Sequence, residues 1–119
     1  MNNREFAAAL EKRTRDFAVR IIRLSSKLPR TPEGSVIRTQ ITKSGTSIGA
    51  NYREANRSRS PADFKNRIEI CESEASETKY WLEIISDLQW LPPEKLKNEH
   101  EECAELLAIF TSIGKKFVR

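Results

Sequence analysis

Apolar positions along this chain recur at steps of three and four, the spacing of one helix face, and they do not alternate in the period-two pattern of a strand. In the first segment Phe6, Leu10, Phe17, Ile21, Leu24 and Leu28 share a side, while Glu11/Arg15 and Asp16/Arg20 form i,i+4 charge pairs outside it. A helix is predicted over residues 3–28, ended by Pro29. Thr31-Pro32-Glu33 then supplies a capping hydroxyl, a first-turn proline and a first-turn acid, the start signal of a second helix. Its inward positions are Ile37, Ile41, Ser44, Ile48, Tyr52 and Ala55, and it fades in Asn56-Arg57-Ser58-Arg59. Ser60-Pro61-Ala62-Asp63 repeats the start signal.

The third segment keeps an alternating 4-3 step through Phe64, Ile68, Cys71, Ala75, Thr78, Leu82, Ile85 and Gln89, a seam that expects neighbours at shallow angles. A second stripe, Trp81, Ile84, Leu88 and Leu91, runs along another face of its C-terminal half. A helix apolar on two faces is buried on two faces, and one four-helix subunit covers one, so self-association is expected. Pro92-Pro93 breaks the chain. Leu96, Cys103, Leu106, Phe110, Ile113 and Phe117 line a fourth helix ending near Lys115, Lys116 and Arg119. Short connections turn each helix back along its predecessor, which predicts an all-α, antiparallel, up-down-up-down four-helix bundle over one domain, residues 1–119. Four glycines and five prolines are too few turn signals for a sandwich or barrel.

Charge changes the picture more than composition does. Residues 1–60 carry 13 Lys and Arg against 5 Asp and Glu, while residues 61–119 carry 8 against 12. The basic half is arginine-rich, which suits phosphate, because the guanidinium fork pairs bidentately with oxyanions. Mutual attraction of the two halves, within or between subunits, has equal weight. Arg53, Arg57 and Arg59 form the densest cluster, and with Arg13, Arg20, Arg23, Arg38 and Lys43 they compose a candidate nucleic-acid-binding surface.

Catalytic patterns fail on count. A carboxylate di-iron bundle needs Glu-x-x-His on two helices, whereas the sole histidine, His100, has Lys97 three residues before it. No metal site or cofactor is expected. Cys71 and Cys103 lack a basic neighbour on their helix faces to activate them. Counting back from Pro92 places them about 16 Å apart along the bundle axis, at a rise of about 1.5 Å per residue, too far for a disulfide. Ser44-Gly45-Thr46-Ser47-Ile48-Gly49 has the wrong glycine spacing for a phosphate loop and lacks its Lys-Ser/Thr. Gly45 and Gly49 instead share a helical face with Ser44 and Ser47, where another backbone can approach closely. Asn51 and Glu54 beside it read as a structural or subunit contact. Met1–Ala18 is too charged for an export signal, and no segment reaches the roughly 18 apolar residues of a membrane span, so a cytoplasmic location without membrane attachment is expected.

Ser44-Gly-Thr-Ser-Ile-Gly-Ala-Asn-Tyr-Arg-Glu-Ala55, followed by Ser60-Pro-Ala-Asp-Phe64 and Glu77-Thr-Lys-Tyr-Trp-Leu82, resembles the bacterial four-helix-bundle proteins encoded within intervening sequences of large-subunit ribosomal RNA genes. The resemblance spans most of residues 5–117 and implies a ring-shaped homo-oligomer, a pentamer, with no enzymatic activity. Its superfamily includes the accessory variability determinant of diversity-generating retroelements, which binds a reverse transcriptase, so a polymerase is an implied class of protein partner. The motif positions Ser44, Ser47, Ile48, Asn51, Glu54 and Ala55 are implied to be structural or interfacial, and Tyr52 stands where a smaller or aliphatic residue is expected. The expected oligomer interface therefore comprises Ser44, Gly45, Ser47, Ile48, Asn51, Glu54, Trp81, Ile84 and Leu88. The expected function is a non-enzymatic oligomeric bundle binding RNA or DNA. The alternative is a protein-interaction scaffold that touches no nucleic acid.

Overall fold

A computed structural model describes residues 2–116, and among them there are four α-helices and no strand. They are α1 (Asn3–Ser25), α2 (Pro32–Ala55), α3 (Pro61–Asp87) and α4 (Pro93–Lys115). The expected contributions of Phe117 and Arg119 to α4 lie outside the described residues. Each helix packs on the next in sequence and α1 adjoins α4, while the backbones of the diagonal pairs α1/α3 and α2/α4 stay apart and only side chains meet across the core. Antiparallel direction follows from which residues meet. Gly45 faces Ile21 where Gly49 faces Thr14. Thr78 bonds Ser44 where Arg67 bonds Asn51, and Arg20 reaches Glu99 where Arg13 reaches Glu102. The particle measures 44 × 26 × 23 Å, close to the length of its helices at about 1.5 Å per residue.

Local chemistry sets the helix ends. The Thr31 hydroxyl accepts from the Gly34 N–H and the Ser60 hydroxyl from the Asp63 N–H, each before a first-turn proline. Asn2 does the same for Glu5 at the start of α1. In the turn before α2 the Pro29 carbonyl lies against the first helical turn, where Arg38 donates to it. A Cβ at position 34 would collide with that carbonyl, which explains the glycine there.

Two boundaries depart from the periodicity. α1 ends at Ser25 rather than 28, because the Ser25 and Ser26 hydroxyls bond the carbonyls of Ile22 and Arg23 and the chain turns. Leu28 still reaches the core from that turn, with 2% of its surface exposed. α3 ends at Asp87, and Gln89, expected on its seam, takes a left-handed φ of 57°. Trp90 N–H bonds the Ile85 carbonyl and Gln89 N–H that of Ser86, the paired bonds of a Schellman stop.

The core is filled by Phe17, Ile21, Ile41, Ile48, Ile68, Leu82, Ile85, Leu106 and Phe110, all fully buried. Tyr52 joins them, its ring edge-on to Phe110 at 5.5 Å between centroids, so the aromatic at this position packs inside the bundle. Phe6, expected inward, is exposed, since it sits in the first turn at one end of the bundle. Buried polar groups are all satisfied among the described residues. Thr78 lies within reach of both the Ser44 hydroxyl (2.9 Å) and the Glu74 carbonyl (2.8 Å), with one hydrogen to give.

Candidate functional site

The expected basic residues sit on α1, on α2 and, for Arg57 and Arg59, in the connection after α2, but they are not uniformly available. Arg13 makes a bidentate pair with Glu102, both contacts at 2.7 Å, and reaches Glu105 at 3.2 Å. These hydrogen bonds, against the opposing cost of desolvation, raise the guanidinium's affinity for its proton still further. Arg20 pairs with Glu99 at 2.8 Å. Both arginines leave the expected nucleic-acid surface, because the register of α1 against α4 lays them onto the acidic half of their own chain. Arg38 is likewise occupied by the Pro29 carbonyl.

The remaining members point outward. Arg53 and Arg57 touch Glu11 and Glu54 only at 3.9 Å, with side chains 52% and 69% exposed, so these pairs hold them weakly. Arg23, Lys43 and Arg59 are exposed and form no salt bridge among the described residues. Arg53, Arg57 and Arg59 follow α2 into the α2–α3 connection, with Lys43 farther back along α2. Arg15, not singled out by the sequence, stands with Arg53 over a shallow cleft of about 360 Å³ between α1 and α2, floored by Ala18, Gly49 and Ala50. Glu11 and Glu54 line the same cleft, so its charge is balanced. Spacing within α1 places Arg15 on the outer face as the i,i+4 partner of Glu11, but does not say which helix it meets.

The expected oligomer interface divides in two. Ser44, Gly45 and Ile48 are corrected to the interior of one subunit: Ile48 and Ser44 are fully buried, and a Cβ on Gly45 would come within 2.7 Å of Ile21 Cγ2. The close approach that the small residues permit is used by α1 of the same chain. Ser47, Asn51, Trp81 and Ile84 are half-buried, and Glu54 and Leu88 are exposed. Asn51 donates to the Ser47 carbonyl and accepts from Arg67, so this polar pair ties α2 to α3.

The thiols have the opposite of nucleophilic character. Cys71 donates to the Ile48 carbonyl and Cys103 to the Ala75 carbonyl, and burial pushes each up to about 12. Cys103 thus stands at the level of Ala75, one turn or roughly 6 Å from Cys71 along the axis, nearer than the 16 Å expected. The count from Pro92 overshoots because residues 88–92 turn without rising along the bundle. The two thiols remain unpaired, each aimed at a different carbonyl. Among the described residues, no three His, Cys, Asp or Glu groups stand together as a cation site, and no helix is long and apolar enough to cross a membrane.

Fold and surface together define a small all-α helical protein whose accessible chemistry is charge. Residues 9–112 match the family model of the 23S rRNA-intervening sequence proteins, and the chain belongs to that family. It is similar to the crystal structure of a protein of unknown function from the S23 ribosomal protein family of Bacteroides thetaiotaomicron. The TM-score is 0.84 and the sequence identity 37%, covering 92% of this chain and 97% of that one. No curated protein matches it.

Proposed function

We propose that this protein is a non-enzymatic, ring-forming homo-oligomer, a pentamer in keeping with the family resemblance, which acts in the cytoplasm by binding RNA or DNA. The observation that carries the nucleic-acid reading is the outward placement of Arg53 at the end of α2 and of Arg57 and Arg59 in the connection that follows, with Lys43 earlier on α2, while nearby acids hold Arg53 and Arg57 only at 3.9 Å. Exposed guanidinium groups offer phosphate-matching forks, and a symmetric oligomer repeats the cluster, so weak single-subunit binding adds up by avidity. Buried thiols held protonated and a charge-balanced α1–α2 cleft support the non-enzymatic part of the reading.

Binding to short RNA and DNA, followed by fluorescence anisotropy across salt concentrations, tests it. Affinity should fall steeply with salt, and Arg53→Ala/Arg57→Ala should lower the log-log slope by about 2, roughly one unit for each phosphate that a guanidinium no longer neutralises. An absence of binding to single- and double-stranded forms at low salt overturns it. The Arg13 and Arg20 pairs favour a second reading, because the basic half is visibly drawn to acidic surface. A scaffold of that kind would assemble, or hold an acidic protein partner, and leave nucleic acid unbound.

A further inference from the structure

The outer surface of α3 carries a trough of about 660 Å³ shared with α4, whose walls include Glu69, Glu72 and Glu77 and whose apolar elements are Tyr80 and Leu107. No lysine or arginine lines it. Glu72 is committed to the Thr111 hydroxyl at 2.6 Å, but Glu69 and Glu77 form no salt bridge among the described residues. Tyr80 is 53% exposed, a large aromatic left half in water. Such a surface selects a cationic and amphipathic partner, and the chain itself presents one. On the outward side of α1, Arg15, Val19, Ile22 and Arg23 fall at steps of four, seven and eight residues, one helical ridge. Val19 and Ile22 are 41% and 47% exposed, and neither arginine forms a salt bridge among the described residues.

We infer that the α1 ridge of one copy seats in the α3–α4 trough of a second copy, with Arg15 and Arg23 meeting Glu69 and Glu77. The register supports it. Arg15 and Arg23 are eight residues apart, as are Glu69 and Glu77, so each pair spans about 12 Å along its helix at about 1.5 Å per residue. Two charge pairs can therefore close together, with Val19 and Ile22 between them facing Leu107, whose level on α4 falls between Cys103 beside Ala75 and Thr111 beside Glu72, while Tyr80 stands just past Glu77 at the end of the contact. α1 and α3 occupy opposite corners of the bundle with their backbones apart and their outer faces turned away from each other, so one copy can give its ridge and receive another's at the same time. The contact is head to tail, and such contacts propagate into rings or filaments. This deepens the assembly part of the proposed function, on which it rests, and is independent of nucleic-acid binding.

Charge reversal tests it on the intact chain. Light scattering at low salt compares the wild type, Arg15→Glu/Arg23→Glu, Glu69→Arg/Glu77→Arg, and an equimolar mixture of the two variants, with circular dichroism reporting helix content. Each variant alone should fall to the mass of one 13.7 kDa subunit with helicity unchanged, and mixing should restore association as particles of alternating variants, whose subunit number is even, because each reversed surface then meets its complement only on the other variant. If reversal disturbs the fold, the neutral Arg15→Gln/Arg23→Gln chain should still weaken association at least tenfold. Wild-type mass in either reversed variant, or a mixture that stays dissociated, overturns this interface. A wild type that is itself a single subunit overturns the assembly reading as well.

Discussion

α1 is held by different physics on its two sides. Toward α2 it is held by the absence of side chains: Gly45 admits Ile21, Gly49 admits Thr14, and the Ser25 and Thr42 hydroxyls bond at 3.1 Å. Toward α4 it is held by long ones, Arg13 and Arg20 reaching across to Glu102, Glu105 and Glu99, along a much shorter stretch of adjoining backbone. A close-packed seam is a volume constraint that salt cannot screen, whereas an arginine seam tolerates changes of volume but responds to ionic strength. The bundle thus combines one fixed seam, which sets the register, with one that neutralises its two charged halves.

The fixed seam should be the easier to break. Gly45→Leu adds a full side chain where a single Cβ would already lie 2.7 Å from the Cγ2 and 3.1 Å from the Cβ of a fully buried, β-branched Ile21. Better helix propensity returns about 1 kcal/mol. Overpacking on this scale costs about 3 kcal/mol or more, so a net loss of about 2 kcal/mol is expected by urea unfolding, unchanged in 1 M salt. Equal stability to the wild type would mean that α1 can move off α2 freely, which the close-packed description does not allow.

The thiols sharpen the comparison from inside the close-packed layer. Each is pushed from 9.0 to about 12 by burial, so the folded state binds its proton more tightly than the unfolded state does. A group raised in this way contributes stability that is complete below pH 9 and is lost as pH climbs toward 12. By pH 10 the loss should be about 1 kcal/mol per thiol, and urea midpoints at pH 8 and pH 10 measure it. Tyr52, raised by burial as well, acts in the same direction. Both cysteines should also resist alkylation at pH 8 until the chain is unfolded.

A smaller effect is expected at the hydroxyl pair between α2 and α3. Thr78→Val removes a hydroxyl that bonds either Ser44 or the Glu74 carbonyl and should cost about 1 kcal/mol. In the Ser44→Ala background the same change should cost less, because no hydroxyl is left facing an apolar neighbour. Equal costs in the two backgrounds, measured as a double-mutant cycle, would show the contact to be incidental.

What the sequence made legible follows from how local each signal is. The starts of α2 and α3 are written within four residues, Thr31–Gly34 and Ser60–Asp63, and the capping bonds lie there. The stop of α3 is less legible, since Gln89 adopts a conformation usually given to glycine and its polarity can also be read as the end of a seam. Leu28 fits the helical period but belongs to a turn, because periodicity registers burial and not the conformation that achieves it. The candidate site was half legible. Arg53, Arg57 and Arg59 stand outward as a cluster, but the capture of Arg13 by Glu102, 89 residues away, depends on the register between the first and last helices. Small residues posed the same difficulty: Gly45 and Ser44 announce a close approach without saying whose backbone arrives, and here it is the chain's own.

The arginine seam should give an effect no larger than that of the hydroxyl pair, and the most diagnostic one. Arg13→Ala removes a bidentate pair whose arginine side chain is 37% exposed and whose Glu102 is 14% exposed, leaving a largely covered carboxylate with no guanidinium. Exposed pairs contribute about 0.2–1 kcal/mol, and the bidentate geometry puts this one near the upper end, so a loss of about 1 kcal/mol is expected in dilute buffer. Glu102→Gln should cost less, since the amide oxygen can still accept from one guanidinium nitrogen. In 1 M salt, with a screening length of about 3 Å, the cost of Arg13→Ala should shrink while that of Gly45→Leu stays fixed. Two substitutions at the two seams of α1, one in α1 itself and one in α2, would then separate under a single variable, and parallel behaviour would mean that the two seams are held by the same force.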